Sequence, residues 1–385
     1  MLTALVRYNF RSIVACLVIF SSPVVQACEF CAAPALTLSE QIANAQIALL
    51  VDWQAGREAE IGDVGSASYT IRQVVAGEKA EWEVGRDLQQ AGYVAAQKGE
   101  QFLLLGQVYE QEISWQPPVR MPPEVFQYVR QAPASTEPIE VRLAYFWRYI
   151  EHENVDIRND AFGEFAKAPY EKIRLLSKLY SPKSLREWLV NDESEKTRRG
   201  LYGLMLGLCG DEQDAQFLRA QILMPSEGYR LGIDGLMAGY LLLAGEQGLQ
   251  ELTRAKLQEG NDAELHALMS AMRFHATYRS PQLSQQVLNV AMRQMLSNAR
   301  QVDLVIVDLA RGNDWEAMDQ VAAIYSDSNM PYRSTKLTVI RYFLTAEFAT
   351  DEEITQLQRQ QAATILKRLE EQDPKLVSDA RRQLY

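Results

Sequence analysis

The sequence predicts a multidomain α+β chain: a small β barrel in front, a proline-rich connector, and an all-α solenoid behind. Three observations carry that expectation. Between residues 48 and 109, short apolar runs are separated by glycines at turn-like intervals. Residues 116–138 hold six of the chain's 14 prolines. Beyond Glu140, apolar residues recur at helical spacing with no strand alternation.

The composition bounds the function before any motif is read. With 47% hydrophobic and 23% charged residues, the chain is globular rather than disordered or fibrous. A formal charge of −11 argues against nucleic acid as a partner, because a phosphate backbone needs a basic face. Three histidines are too few for a histidine-rich metal site.

Residues 1–27 read as an export signal. Arg7 and Arg11 form the positive front, and Ile13 to Phe20 is an apolar stretch too short to span a bilayer. Val25-Gln26-Ala27 suits a cut before Cys28. Cleavage there removes two arginines and no acid, so the formal charge moves from −11 to −13. The expected address is outside the cytoplasm, in the periplasm or at the outer surface.

Two readings of Cys28 stay open. Val24-Val25-Gln26-Ala27-Cys28 resembles a bacterial lipoprotein box, which implies a lipidated Cys28 and attachment to a membrane surface. Plain cleavage would leave Cys28 and Cys31 free to form a small disulfide. Cys28-Glu-Phe-Cys31 lacks the preceding strand of a thioredoxin-type motif, and Ala32 stands where haem attachment needs His. Cys209, set in Leu204-Met-Leu-Gly-Leu-Cys209, is expected to be a buried small hydrophobe.

Residues 28–115 form the expected β domain. Thr37-Leu-Ser-Glu40 has capping-box spacing ahead of a short helix through Ala45. Strands are expected over 48–53, 68–76 and 101–109, with Tyr69, Ile71 and Gln73 alternating against Thr70 and Arg72. The terminal cysteines, Ile42-Ala-Asn-Ala45, the run from Tyr69 to Gly77 and Gly99-Glu-Gln-Phe-Leu-Leu-Leu-Gly106 together resemble the netrin-like domain of tissue metalloproteinase inhibitors. That resemblance covers residues 28 to about 110 and implies an OB-like barrel. In that family a terminal cysteine's amine and carbonyl grip a protease's zinc, which would give Cys28 a protease-regulating role.

Residues 116–139 form the connector. Dense proline excludes helix interior and central strand, while Val125, Phe126, Tyr128 and Val129 give the segment something to bury. Residues 140–385 form the helical domain. Leu143, Phe146, Trp147 and Ile150 share one helical face, as do Met318, Val321, Ala322 and Tyr325. Breaks fall at Gly210, at Gly245, near Arg279-Ser-Pro281 and at Gly312. A period in the mid-thirties resembles a HEAT-like helical repeat, which implies an extended surface for a protein partner.

Asp156, Asp160 and Glu164 lie at i, i+4 and i+8 and are the candidate acidic interaction face. His266 and His275 are half a turn out of register, so they share no metal on a straight helix. No motif calls for a cofactor, and no catalytic constellation is present. The expected function is a non-catalytic binding or scaffold protein of the cell envelope. The alternatives are a thiol-redox or metal-dependent protein using Cys28 and Cys31, and the netrin-like protease regulator.

Overall fold

Threonine at position 37 caps the first helix of the described residues, as its spacing suggests. In a computed structural model, residues 30, 36–77, 82–110, 112–191, 196–225, 228–330 and 332–383 are described. Residues 1–27, read above as an export signal, and Cys28 and Cys31 lie outside them. Thr37 and Glu40 complete a reciprocal capping box on α1 (Leu38–Asn44), satisfying two donors that a helix start leaves bare.

The strands are β1 (Ile47–Arg57), β2 (Ser66–Ala76), β3 (Asp87–Ala91), β4 (Gln101–Tyr109), β5 (Glu112–Trp115) and β6 (Val119–Met121). They make one antiparallel sheet in the order β3-β2-β1-β4-β5, with β6 pairing the start of β4. The fold class is α+β, as expected. The sheet, however, does not close into a hydrogen-bonded barrel: β3 and β5 are left as edges. Side chains rather than a ladder bridge this side, where Trp82 meets Trp115 edge-on at 5.8 Å.

β1 is the central strand, and it is buried on both faces. Ile47, Leu49 and Val51 join Tyr69, Ile71, Phe102 and Leu104 in a core belonging to the sheet. Ala48 and Leu50, with Leu103 and Leu105 of β4, point the other way into a core shared with the helices. A strand buried on both sides reads as a continuous apolar run, which Ile47–Val51 is.

The proline-rich connector is itself structured. It contains β6 and α2 (Pro123–Gln131), with proline at the helix start where its missing N–H costs nothing. Val125, Phe126, Tyr128 and Val129 are buried, so the segment is a packed joint.

The remaining helices are α3 (Ile139–Trp147), α4 (Val155–Ala166), α5 (Tyr170–Leu175), α6 (Pro182–Val190), α7 (Arg199–Cys209), α8 (Glu212–Leu223), α9 (Ile233–Glu259) and α10 (Asp262–Thr277). They continue as α11 (Gln285–Gln294), α12 (Val302–Arg311), α13 (Met318–Ile324), α14 (Arg333–Phe348), α15 (Gln356–Gln372) and α16 (Pro374–Arg382). The expected breaks lie where these helices end or bend. Gly210 ends α7, Gly312 ends α12, and Arg279 follows α10. Gly245 kinks α9 with φ 55° and ψ −140°, a backbone shape that disfavours a Cβ.

A second pattern runs inside the helices. Gly203-Leu-Met-Leu-Gly207, Gly235-Leu-Met-Ala-Gly239 and Ala267-Leu-Met-Ser-Ala271 begin 32 residues apart. The small residues let α7 and α9 touch backbone to backbone. A Cβ built on Gly239 would sit 2.0 Å from the Gly203 carbonyl oxygen, and one on Gly207 2.3 Å from that of Gly239. The intervening Leu204, Met205, Leu236, Met237, Leu268 and Met269 are buried.

Candidate functional site

The candidate acidic face turns largely inward. Asp156 stays exposed on α4, but Asp160 and Glu164 are buried against α1. Asp160 accepts a hydrogen bond from the Leu38 N–H at 2.5 Å and another from the Tyr128 hydroxyl at 2.6 Å. Glu164 accepts from the Thr37 hydroxyl at 2.5 Å and pairs with Arg142 at 2.6 Å. These carboxylates hold the N-terminus of α1, where a negative charge meets bare N–H groups. They are a latch between the front of the chain and α4, which corrects the expectation of an interaction surface.

Burial pushes the Asp160 carboxyl up to about 6; its two hydrogen bonds oppose the shift and nearby Glu164 adds to it. Beside it lies a cavity of about 520 Å³, walled by Leu36, Val119, Met121, Val125 and Phe162.

His266 is exposed and His275 fully buried, on opposite sides of α10 as their spacing requires. His275 Nε2 lies 3.1 Å from the Ala238 carbonyl oxygen, so this nitrogen carries the proton. Desolvation lowers its pKa to about 4 and keeps the ring neutral. Cys209 is half-buried rather than fully buried, and burial pushes its thiol up to about 11. Such a thiol is a poor nucleophile. Among the described residues, no group of three or more His, Cys, Asp or Glu is placed to hold a metal ion. No helix among them is long and apolar enough to cross a membrane.

Two open spaces flank α11. On one side, this helix faces the second half of α9 across an open groove of about 720 Å³. Leu249, Leu257, Val287, Val290 and Ala291 supply its apolar surface, and Val290 is 46% exposed. Gln250, Gln258, Gln286 and Gln294 line its polar part, and its charged groups, Glu246 and Arg254, balance. On the other side of α11, a cavity of about 550 Å³ opens toward α10 and α12.

The sequence reading missed both spaces. The available signal was the width of the apolar stripe on α11: Val287, Leu288, Val290, Ala291 and Met292 cover more than one face. Leu288 and Met292 serve the core, while Val287 and Val290 are left to line the groove. A helix with a second apolar strip has a second surface to offer.

No family model matches this chain, and no curated protein or solved structure shows significant similarity to it.

Proposed function

We propose that the chain is an exported, non-catalytic binding or scaffold protein of the cell envelope that holds a polypeptide partner along α11. The observation carrying this reading is the groove between α9 and α11. It is electrically balanced, apolar below and lined by four glutamines. A glutamine amide both donates and accepts, so a row of them suits a peptide backbone, while the apolar surface suits side chains.

The helical part is read as a HEAT-like array. Support comes from the three [Gly/Ala]-Leu-Met-x-[Gly/Ala] segments at a constant 32-residue step and from helix ends at Gly210 and Gly312. Arrays of this kind present long surfaces to partners. The front sheet is read as an OB-like layout left open, supported by the two-sided burial of β1 and the Trp82–Trp115 contact.

Site-specific photo-crosslinking tests the groove. A photoreactive residue at Val290 should give a discrete protein adduct in envelope extracts, while one at exposed Val141 on α3 should not. No adduct from Val290, or the same adducts from both positions, would overturn the reading. Intact mass of the protein from its native fraction tests the address. Loss of residues 1–27 is expected, with Cys28 at the new terminus as a lipid-modified residue or a disulfide partner of Cys31. A full-length mass from the cytoplasm would refute export.

A further inference from the structure

The cavity between α10, α11 and α12 has a different character from the groove beside it. Its titratable lining groups are Arg273, Asp308 and Arg311. Asp308 is buried, and Arg273 Nε lies 3.0 and 2.9 Å from its two carboxylate oxygens. Arg311 Nη1 reaches one of those oxygens at 3.4 Å. Two guanidiniums therefore share one carboxylate, leaving one positive charge in excess within a chain whose formal charge is −11. Each guanidinium carries five N–H donors in a rigid fork, and the contacts to Asp308 use only a few.

Two further features narrow the ligand. Met272, Leu288 and Met292 give the cavity an apolar wall. On α11, the Gln285 amide donates to the Asn289 side-chain oxygen at 2.7 Å. That bond leaves the Gln285 oxygen to accept and the Asn289 amide to donate. Gly312 makes room for this pair, since a Cβ there would come within 3.2 Å of both side chains.

A surplus guanidinium, an amide acceptor and donor, and an apolar wall match three features of a polypeptide's last residue: its carboxylate, its peptide group and an apolar side chain. We propose that this cavity captures the C-terminal residue of the partner polypeptide. The carboxylate lies on Arg311 and Arg273, and the side chain on Met272, Leu288 and Met292. Paired N–H groups of arginine suit a carboxylate in two-point contact. The inference rests on the reading of α11 as the partner-binding helix and names what that partner presents.

The test uses the full mature chain and a tetrapeptide library randomised at its last two positions, made both as free acids and as C-terminal amides. Binding is read by isothermal titration or fluorescence anisotropy. Free acids ending in apolar residues should be selected and should bind at least about tenfold more tightly than their amides. Arg311→Gln should weaken the best free acid by about tenfold and Arg311→Lys by less, because lysine keeps the charge but not the fork. Arg311 is exposed, so both variants should unfold at the parent's temperature.

Binding of acid and amide within twofold of each other, an unaffected Arg311→Gln variant, or no peptide bound at about 1 mM would each overturn the proposal. Decanoate binding as tightly as the best peptide would overturn it too, by making the site one for acyl carboxylates. The outcomes separate from those of the groove. A Val290 adduct without acid preference sinks only the terminal-carboxylate proposal. Arg311-dependent peptide binding without a Val290 adduct sinks only the groove reading.

Discussion

The two halves of α9 meet their neighbours in opposite ways. Before Gly245, the helix lies so close to α7 that Gly203, Gly207, Gly235 and Gly239 leave no space for a Cβ. After Gly245, it stands off from α11 across about 720 Å³. One helix thus supplies both a glycine-lined seam with α7 and one wall of an open groove. The difference follows from side chains. Glycines let backbones touch and forfeit surface, whereas Leu257 and Val290 line the open space and leave apolar surface in reach of water. Stability should therefore be sensitive on the first half, and recognition on the second.

The largest expected effect breaks the seam. Gly239→Val would drive its side chain into the Gly203 carbonyl oxygen, 2.0 Å from the nearest position a Cβ could take, and backbone cannot swing aside as a flexible side chain does. Overpacking of this kind should cost about 3 kcal/mol. Gly239→Ala should give a smaller loss in the same direction. Gly228, with open space around its Cβ position, is the control: Gly228→Ala should change stability by less than about 0.5 kcal/mol. Urea unfolding of the three variants measures this directly. Equal costs at 239 and 228 would mean that the seam is not as tight as its geometry.

How much of this contrast was legible depends on the distance over which each residue acts. Thr37 and Glu40 act on each other three positions apart, so their spacing alone predicted the cap. The strands of 47–57, 66–76 and 101–109 carry long apolar or alternating runs and were predicted within a few residues. β3, β5 and β6 are three to five residues long and lie at or beside the sheet's edges, too short to show a pattern. The glycines of α7 and α9 were hidden for another reason. Glycine signals a break in an isolated helix, yet here its purpose is contact with a helix 32 residues away. Asp160 and Glu164 were misread in the same manner, because their partners at Leu38 and Thr37 lie 122 and 127 residues earlier. Arg273 and Asp308, the ion pair of the cavity between α10, α11 and α12, are 35 residues apart and left no local trace either.

A medium effect separates two buried titratable groups with opposite signs. His275 braces the seam through the Ala238 carbonyl, and its pKa is lowered from 6.5 to about 4. Its contribution to stability is present above pH 6.5 and is lost as the pH falls toward 4. Asp160 holds α1, and its pKa is raised from 3.8 to about 6. Its contribution is fully present below pH 3.8 and is lost as the pH rises through 6. Each shift corresponds to about 3 kcal/mol at most, so the two largely cancel in the parent protein. Relative to the parent, His275→Gln removes the His275 loss, so stability should gain about 2 kcal/mol on going from pH 7 to pH 4. Relative to the parent, Asp160→Asn removes the Asp160 gain, so stability should fall by a similar amount over the same range. Urea titrations across that range read both slopes. If both variants keep the parent's slope, neither group titrates as its burial requires.

The smallest effect on stability sharpens the comparison most. Val290 lies on the groove side of α11 and is 46% exposed. Val290→Gln removes apolar surface already half in water and extends the glutamine row, so unfolding free energy should move by less than about 0.5 kcal/mol. Partner capture along the groove should nonetheless weaken by about tenfold, because a contact that contributes little to folding can be central to a binding surface. The paired measurement is urea unfolding of the variant beside quantitative recovery of the crosslinked partner from a second position, Leu257. A variant that loses stability without losing partner would show that Val290 belongs to the core after all. A variant that loses neither would strip the groove of its role and leave α9 with one working half.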